Sequence, residues 1–180
     1  MNLWLRLIWL VFLARRRPRL ELPGGVSRLA MRAWPQDIDT SAHVNNGRYW
    51  TLMDLGRADL LLRSGLWRAV LRNRWVPVLN GGHVRFRREL RPFRAFVLET
   101  RILCWHGTHV FIEHRLRTPD GTVAALAIVQ AGLYDRRKRA FVPMSELMRL
   151  VGATGDSPPV PPEVAAIVEA NTLLGRAARG

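Results

Sequence analysis

Residues 34–49 read WPQDIDTSAHVNNGRY, and the fold turns on how this stretch is read. Before it, Val26 to Trp34 alternates apolar and polar residues with the two-residue period of a strand. After it, from about Asn45, the apolar residues fall at helical spacing. Between them lie two carboxylates (Asp37, Asp39), the Ser41 hydroxyl, the His43 imidazole and the amides of Asn45 and Asn46. Polar groups gathered where a strand hands over to a helix N-terminus face unpaired backbone N–H groups, which suits a site better than a mere connection.

Downstream, Asn45 to about Arg63 (NNGRYWTLMDLGRADLLLR) is apolar over a wide arc, through Tyr49, Leu52, Met53, Leu55, Leu60 and Leu61. Such a helix is expected to be buried and wrapped by a sheet. Ser64-Gly65 ends it, and Leu66 to Asn73 predicts a short second helix. The rest reads mainly as strand: Trp75 to Leu90, with a bulge or close approach at Gly81-Gly82; Phe96 to Trp105; Val110 to Thr118; and Val123 to Tyr134. His106-Gly107-Thr108 and Thr118 to Thr122 supply the turns. Val123 to Tyr134 is apolar almost throughout and should lie centrally. Ser145 to Val151 predicts a helical turn or two, residues 157–162 a Pro-rich linker, and Glu163 to Arg176 a marginal helix. One long helix on one antiparallel sheet is an α+β architecture. The expected divisions are an N-terminal segment (1–24), a domain (25–145) and a helical tail (146–180). Because the sheet covers one side of its helix, a dimer is expected.

The 180 residues suffice for one domain with terminal extensions. The single Cys104 rules out an internal disulfide, fits a reducing, cytoplasmic compartment, and reads as a small core hydrophobe. The formal charge of +14 would attract nucleic acid, anionic lipid or a phosphate-bearing ligand. The basic residues are scattered, and no zinc-finger spacing, aromatic RNA-binding motif or helix-turn-helix signature accompanies them. Nucleic acid is therefore not the expected partner.

Met1 to Ala14 is apolar except for Asn2 and Arg6 and runs into Arg15-Arg16-Arg17-Pro18-Arg19. It is too short to span a bilayer, which takes ~20 apolar residues. Its charges follow the apolar run instead of preceding it, unlike a secretory signal. Three readings stand: a helix packed on the domain, a dimer contact, or a helix lying in the plane of an anionic membrane at the inner face through residues 1–19.

Within the loop, a carboxylate just before a helix N-terminus could activate water, or attack an acyl carbon directly, while backbone N–H groups hold the developing oxyanion. Asp39 is placed for this, with His43 sharing proton work or orienting a carbonyl and Ser41 holding water. The plainer readings are an Asx-turn for Asp39, an N-cap for Asn45-Asn46, a structural His43 and a turn carboxylate for Asp37.

Residues 37–49 (DIDTSAHVNNGRY) resemble the signature of hotdog-fold acyl thioesterases, including the 4-hydroxybenzoyl-CoA thioesterase-like enzymes and the plant acyl-carrier-protein thioesterases. The apolar N-terminus, Arg-rich spacer and Leu-Met-Asp-Leu-Gly run at 52–56 are similar, more specifically, to the thioesterase superfamily member 6 branch. The resemblance covers about residues 26–142. It implies a hotdog fold, an antiparallel sheet of five or more strands around one long central helix, in a homodimer or dimer of dimers. By position, Asp39 matches the catalytic carboxylate and the backbone N–H near Asn46 the thioester-polarising donor. His43 matches the histidine of the plant-type Asp-x-Asn-x-His pattern; Ser41 stands where that pattern has asparagine. The implied substrate is a thioester of coenzyme A or an acyl carrier protein, with no metal and no cofactor beyond the coenzyme A of the substrate. Ser41, Asn45 and Tyr49 are expected at the substrate, and Arg85 and Arg87, with Arg88 and Arg91, are candidates for its phosphates. The plainer reading of those arginines is a solvated strand face. A non-catalytic acyl-binding or membrane-associated scaffold is the alternative; a hydratase is disfavoured because its Asp-x-Asn-Pro-x-His motif is missing.

Overall fold

The computed structural model describes residues 3–153 and 155–178. The expectations touching Met1, Asn2, Thr154, Arg179 and Gly180 lie outside these residues. In chain order the elements are α1 (Leu3–Ala14), β1 (Val26–Arg32), a 3-10 turn (Pro35–Asp37), α2 (Asn46–Ser64), α3 (Leu66–Asn73), β2 (Trp75–Phe86), β3 (Ala95–His106), β4 (His109–Arg117), β5 (Val123–Asp135), β6 (Ala140–Phe141), α4 (Met144–Leu150) and α5 (Pro162–Ala177).

The strands form one antiparallel sheet in the order β1-β3-β4-β5-β2. The two-residue strand β6 pairs with Tyr134 and Asp135 of β5. It uses the edge of β5 that β4 leaves free beyond Ala131, because β2 already pairs with those residues on the other side. Pro77 fits an edge strand such as β2, where a missing N–H costs no ladder bond.

Two close approaches set α2 on the sheet. A Cβ on Gly56 would lie 2.1 Å from Thr100 Oγ1, so the helix can reach β3 only with glycine there. A Cβ on Gly82 would lie 3.0 Å from the Trp50 ring. The adjacent register shift between Leu79 and Gly81 is the bulge expected of the Gly-Gly pair, with Asn80 as the extra residue. Gly65, at φ 85°, ends α2 in the left-handed conformation, its N–H bonded to the Leu62 carbonyl.

The core on the α2 side falls into two clusters. One gathers Leu52, Met53, Leu55, Phe96, Leu98 and Leu116 beneath the N-terminal half of α2, with Leu10 of α1 packed on it. The other gathers Leu60, Leu66, Val70, Ile112, Met144 and Met148 around its C-terminal half. Cys104, Phe111, Ile128 and Val164 form a third cluster on the opposite face of the sheet, beneath α5.

The end of the long strand is corrected, β6 is an addition, and the C-terminal elements are placed on the fold. The long strand from Trp75 ends at Phe86, because Arg87 and Arg88 both donate to the Ala124 carbonyl and the chain leaves the sheet. Strand β6 has too few residues to show a period. The boundary drawn at 145/146 falls inside α4, whose Met144, Leu147 and Met148 are core. The marginal C-terminal helix has 16 residues and covers the outer sheet face, held by Val164 and by Asn171 Nδ2 donating to Gln130 Oε1 at 2.7 Å.

Candidate active site

The loop between β1 and α2 is closed by its own backbone. Ile38 and Val44 form an isolated antiparallel bridge. The Asp39 N–H donates to the His43 carbonyl (3.0 Å) and the Ala42 N–H to the Asp39 carbonyl (3.1 Å), with Ala42 at φ 58°. The base of this small hairpin is tied outward, since the Val44 N–H donates to the Leu90 carbonyl and the Asn45 N–H to the Asp37 carbonyl, both at 2.9 Å. The tip, residues 39–43, is thereby presented beside the start of α2.

Asp37 is fully buried. Its Oδ2 accepts from the Trp34 N–H (3.0 Å) and from Arg6 Nη2; its Oδ1 accepts from Arg48 Nε (3.2 Å) and Nη2 (2.9 Å). Burial pushes its pKa up, but the Trp34, Arg48 and Arg6 hydrogen bonds and the Arg6 charge outweigh that and hold the carboxyl below its usual value. An ionised carboxylate offers about four lone-pair sites, and here four donors fill them.

Asp39 differs. Its side chain is about one-quarter exposed. Oδ1 accepts from the Ser41 N–H at 2.9 Å, an Asx-turn, and Oδ2 lies 3.5 Å from Asn45 Nδ2. About half its acceptor capacity stays open to a water or a substrate. His43 Nδ1 lies 3.6 Å from Asp39 Oδ1 and 3.2 Å from the Val44 carbonyl. Since a carbonyl only accepts, that contact assigns a proton to Nδ1, so that a neutral ring carries its lone pair on Nε2.

Asn45 is the N-cap of α2, its Oδ1 accepting from the Gly47 N–H at 2.8 Å. Asn46 is the first helical residue, a position whose N–H has no carbonyl one turn back to bond to. That N–H and the open side of Asp39 therefore belong to one loop–helix junction. Ser41 is exposed, and its backbone fixes Asp39.

The other expected substrate residues do not join this group. Tyr49 is buried against Phe86, ring centroids 5.0 Å apart, and burial pushes its phenol up to about 12. Arg85 lies on the opposite sheet face, in a groove under α5 with Glu113, Arg115 and Glu163. Arg87 is exposed just past the end of β2.

The inner face holds a cavity along the central helix, and polar partners that the sequence did not point to. An apolar cavity of about 430 Å³ begins at Trp50, one turn along α2 from Asn46, and extends between α2, the sheet and α4, past Leu61, Leu79, Ile112 and Met148. Asp54 and Arg57 are the polar side chains in its wall. Arg57 Nη1 donates to His114 Nε2 (3.1 Å), so the His114 proton sits on Nδ1 and is donated to Thr100 Oγ1 (2.9 Å). Burial, then the Arg57 charge, pushes this imidazole far below its usual pKa, and it is neutral. Arg6 was also missed, although a single charge within an apolar run was the available signal. Burial pushes the Cys104 thiol up, in keeping with a core residue.

Three proteins illustrate what the chain is similar to. Protein THEM6 of Xenopus laevis is 37% identical over 81 residues, which take in 45% of this chain and 39% of that protein. The chain thus spans about two-fifths of that relative's length in the match. The crystal structure of YbaW, a probable thioesterase of Escherichia coli, superposes with a TM-score of 0.65 at 17% identity, over 71% of this chain and 96% of that one. A hypothetical protein of Staphylococcus aureus in complex with CoA gives a TM-score of 0.64 at 13% identity, over 81% and 92%. Together they establish the curled sheet around α2 as the hotdog fold. The family model described as the thioesterase-like superfamily matches residues 33–168, from the loop through the central helix and sheet into α5. With the loop, α2 and strands β2 to β6 inside that match, which takes in more than half of the chain, this chain belongs to the thioesterase-like superfamily.

Proposed function

We propose that this protein hydrolyses acyl thioesters of coenzyme A or of an acyl carrier protein, with Asp39 as the reacting carboxylate. The observation that carries this reading is a half-open carboxylate on the loop that leads into the N-terminus of α2, a helix whose next turn, from Trp50, walls an apolar cavity. The acyl chain lies in that cavity, and the thioester carbonyl accepts from the Asn46 N–H. Water gives a proton to Asp39 and its oxygen adds to the carbonyl carbon; the oxyanion sits on the helix N-terminus, where the macrodipole favours negative charge. Collapse breaks the carbon–sulfur bond, and the thiolate leaves with the proton as a thiol. If Asp39 instead attacks the carbonyl, an acyl-carboxylate anhydride forms and water resolves it to the same products. His43, with its lone pair on Nε2 when neutral, shares the proton transfers.

Two further parts of the reading concern assembly and location. Strands β1 and β2 each have one neighbour in the sheet, and β2 borders the cavity through Pro77, Val78 and Leu79. A second copy joining at β2 closes the cavity and makes the dimer. The face of α1 that carries Trp4, Leu5, Ile8, Trp9 and Phe12 is exposed beside Arg15 and Arg16. It docks in the plane of an anionic membrane. No helix among the described residues is long and apolar enough to cross one.

The test is thiol release from a chain-length series of acyl-CoA substrates, comparing the wild-type protein with Asp39→Ala. A loss of roughly 10²–10⁴-fold is expected on removing the acid–base group. The Asx-turn at Asp39 favours the second reading, a non-catalytic acyl-binding scaffold. Acyl-CoA binding without thiol release at any chain length would leave that reading standing, whereas an equally active variant would remove Asp39 from the chemistry. Pelleting with anionic vesicles tests the surface: a Trp9→Ser, Phe12→Ser protein that still pellets as the wild type does would sink it.

A further inference from the structure

We propose that α1 belongs to the active-site framework, and that Arg6 is a positioning residue holding the Asp39 loop through Asp37. This rests on the reading of Asp39 as the reacting carboxylate. Arg6 is only 6% exposed although it sits within an otherwise apolar segment. Its Nη2 reaches 31 positions along the chain to Asp37 Oδ2, an oxygen it shares with the Trp34 N–H. The other carboxylate oxygen takes Arg48 of α2, and the Asp37 carbonyl takes the Asn45 N–H. One residue thus joins α1, the exit of β1, the 3-10 turn and the first turn of α2. Asp39 follows it by two positions, and the Asn46 N–H follows the Asn45 that it holds.

Stability alone is a poor account of this contact. A buried ion pair often does no better than apolar side chains of the same volume, and its attested use is to fix geometry. Arg6 also leaves its Nη1 buried with no hydrogen-bond partner among the described residues, a further cost that an apolar residue would avoid. Leu10 and Ala14 already bury the same face of α1. What the guanidinium adds is a fixed point for Asp37. The family match begins at residue 33, so this support comes from outside the segment shared with the family model.

The experiment uses the full chain and a water-soluble short-chain acyl-CoA, which removes any need for membrane contact. Arg6→Met and Arg6→Lys are compared with the wild type for kcat, KM and thermal midpoint, and for amide hydrogen exchange over residues 37–46 and over β3–β5. Arg6→Met should lower kcat by about 10²-fold, the cost of an ångström-scale misplacement, and leave KM within a few-fold. Exchange should quicken in 37–46 and stay at the wild-type level in β3–β5, and Arg6→Lys should recover part of kcat. Wild-type kcat in Arg6→Met overturns the proposal. So does exchange that rises evenly across the sheet while kcat per folded molecule holds, since that is support of the fold alone. Should Arg6→Met not fold, Arg6→Lys, which keeps the charge with a shorter reach, decides by the same kcat and exchange readings. If the wild type releases no thiol, the thioesterase reading falls, and local quickening over 37–46 still separates loop positioning from general support.

Discussion

The base and the tip of the loop before α2 carry carboxylates two residues apart in opposite circumstances. At the base, Asp37 is fully buried and its lone pairs are filled by Trp34, Arg6 and Arg48. At the tip, Asp39 keeps one firm hydrogen bond, from the Ser41 N–H, and has solvent on one side. A carboxylate with four donors has nothing left with which to take a proton or reach a carbonyl carbon. One with half its capacity open has both options. The shape of the tip thus rests on saturation at the base: a loop projecting a half-bonded carboxylate keeps its shape only if something beneath it is fixed.

The sharpest way to break this contrast is to neutralise each carboxylate in turn. Asp37→Asn leaves the buried guanidinium of Arg6 and the adjacent Arg48 without their counter-charge and should cost about 3–5 kcal/mol in urea unfolding. Asp39→Asn should cost under about 1 kcal/mol, the scale of a single exposed hydrogen bond. Equal losses from the two would erase the distinction. Next in size, His43→Gln should lower kcat by about 10²-fold at unchanged stability, the low end for a group that shares proton transfer. A wild-type rate would return His43 to a structural role.

Acid titration sharpens the base of the loop by itself. Asp37 has a folded pKa held below its unfolded value of about 3.9, so its stabilising contribution is complete above that value. It is lost as pH falls through the lower folded pKa. Glu99, held down by Arg117 and Arg28 against burial, and Glu113, where burial is outweighed by Arg115 and Arg101, act in the same window. Stability measured from pH 6 downward should therefore fall below about pH 4, and less steeply in Asp37→Asn. An identical slope would mean that the base carboxylate is not the titrating group. The smallest effect belongs to the tip: Ala42, at φ 58°, holds a conformation that glycine adopts freely. Ala42→Gly should change stability by about 1 kcal/mol or less, because relief of strain and added unfolded-state entropy oppose each other.

Much of the molecule is legible in the chain because it depends on neighbours in sequence. The helix over Leu66–Asn73, the bulge beside Gly81, the N-cap at Asn45 and the interior place of β5, between β4 and the edge strand β2, all follow from period, composition and turn chemistry within a few residues. The junction of loop and helix is local in the same sense. What the sequence left open depends on parity or on distant pairing. Which face Arg85 occupies turns on a single extra residue at Asn80, since one step of register moves every side chain of a strand to the other side. His114 follows the inward alternation of β4, but its acceptance into the core required Gly56, Thr100 and Arg57 from two other elements.

The loop shows the same division within seven residues. By itself the sequence determined that two carboxylates, a histidine and a helix start would lie together, because chain connectivity leaves them no other place. Only the tertiary structure decided which carboxylate would be spent on the fold and which left open. Trp34 and Arg48 supply donors from nearby in the chain, but Arg6 is brought against Asp37 only by the packing of α1 on the core, and no local pattern at either residue encodes that contact.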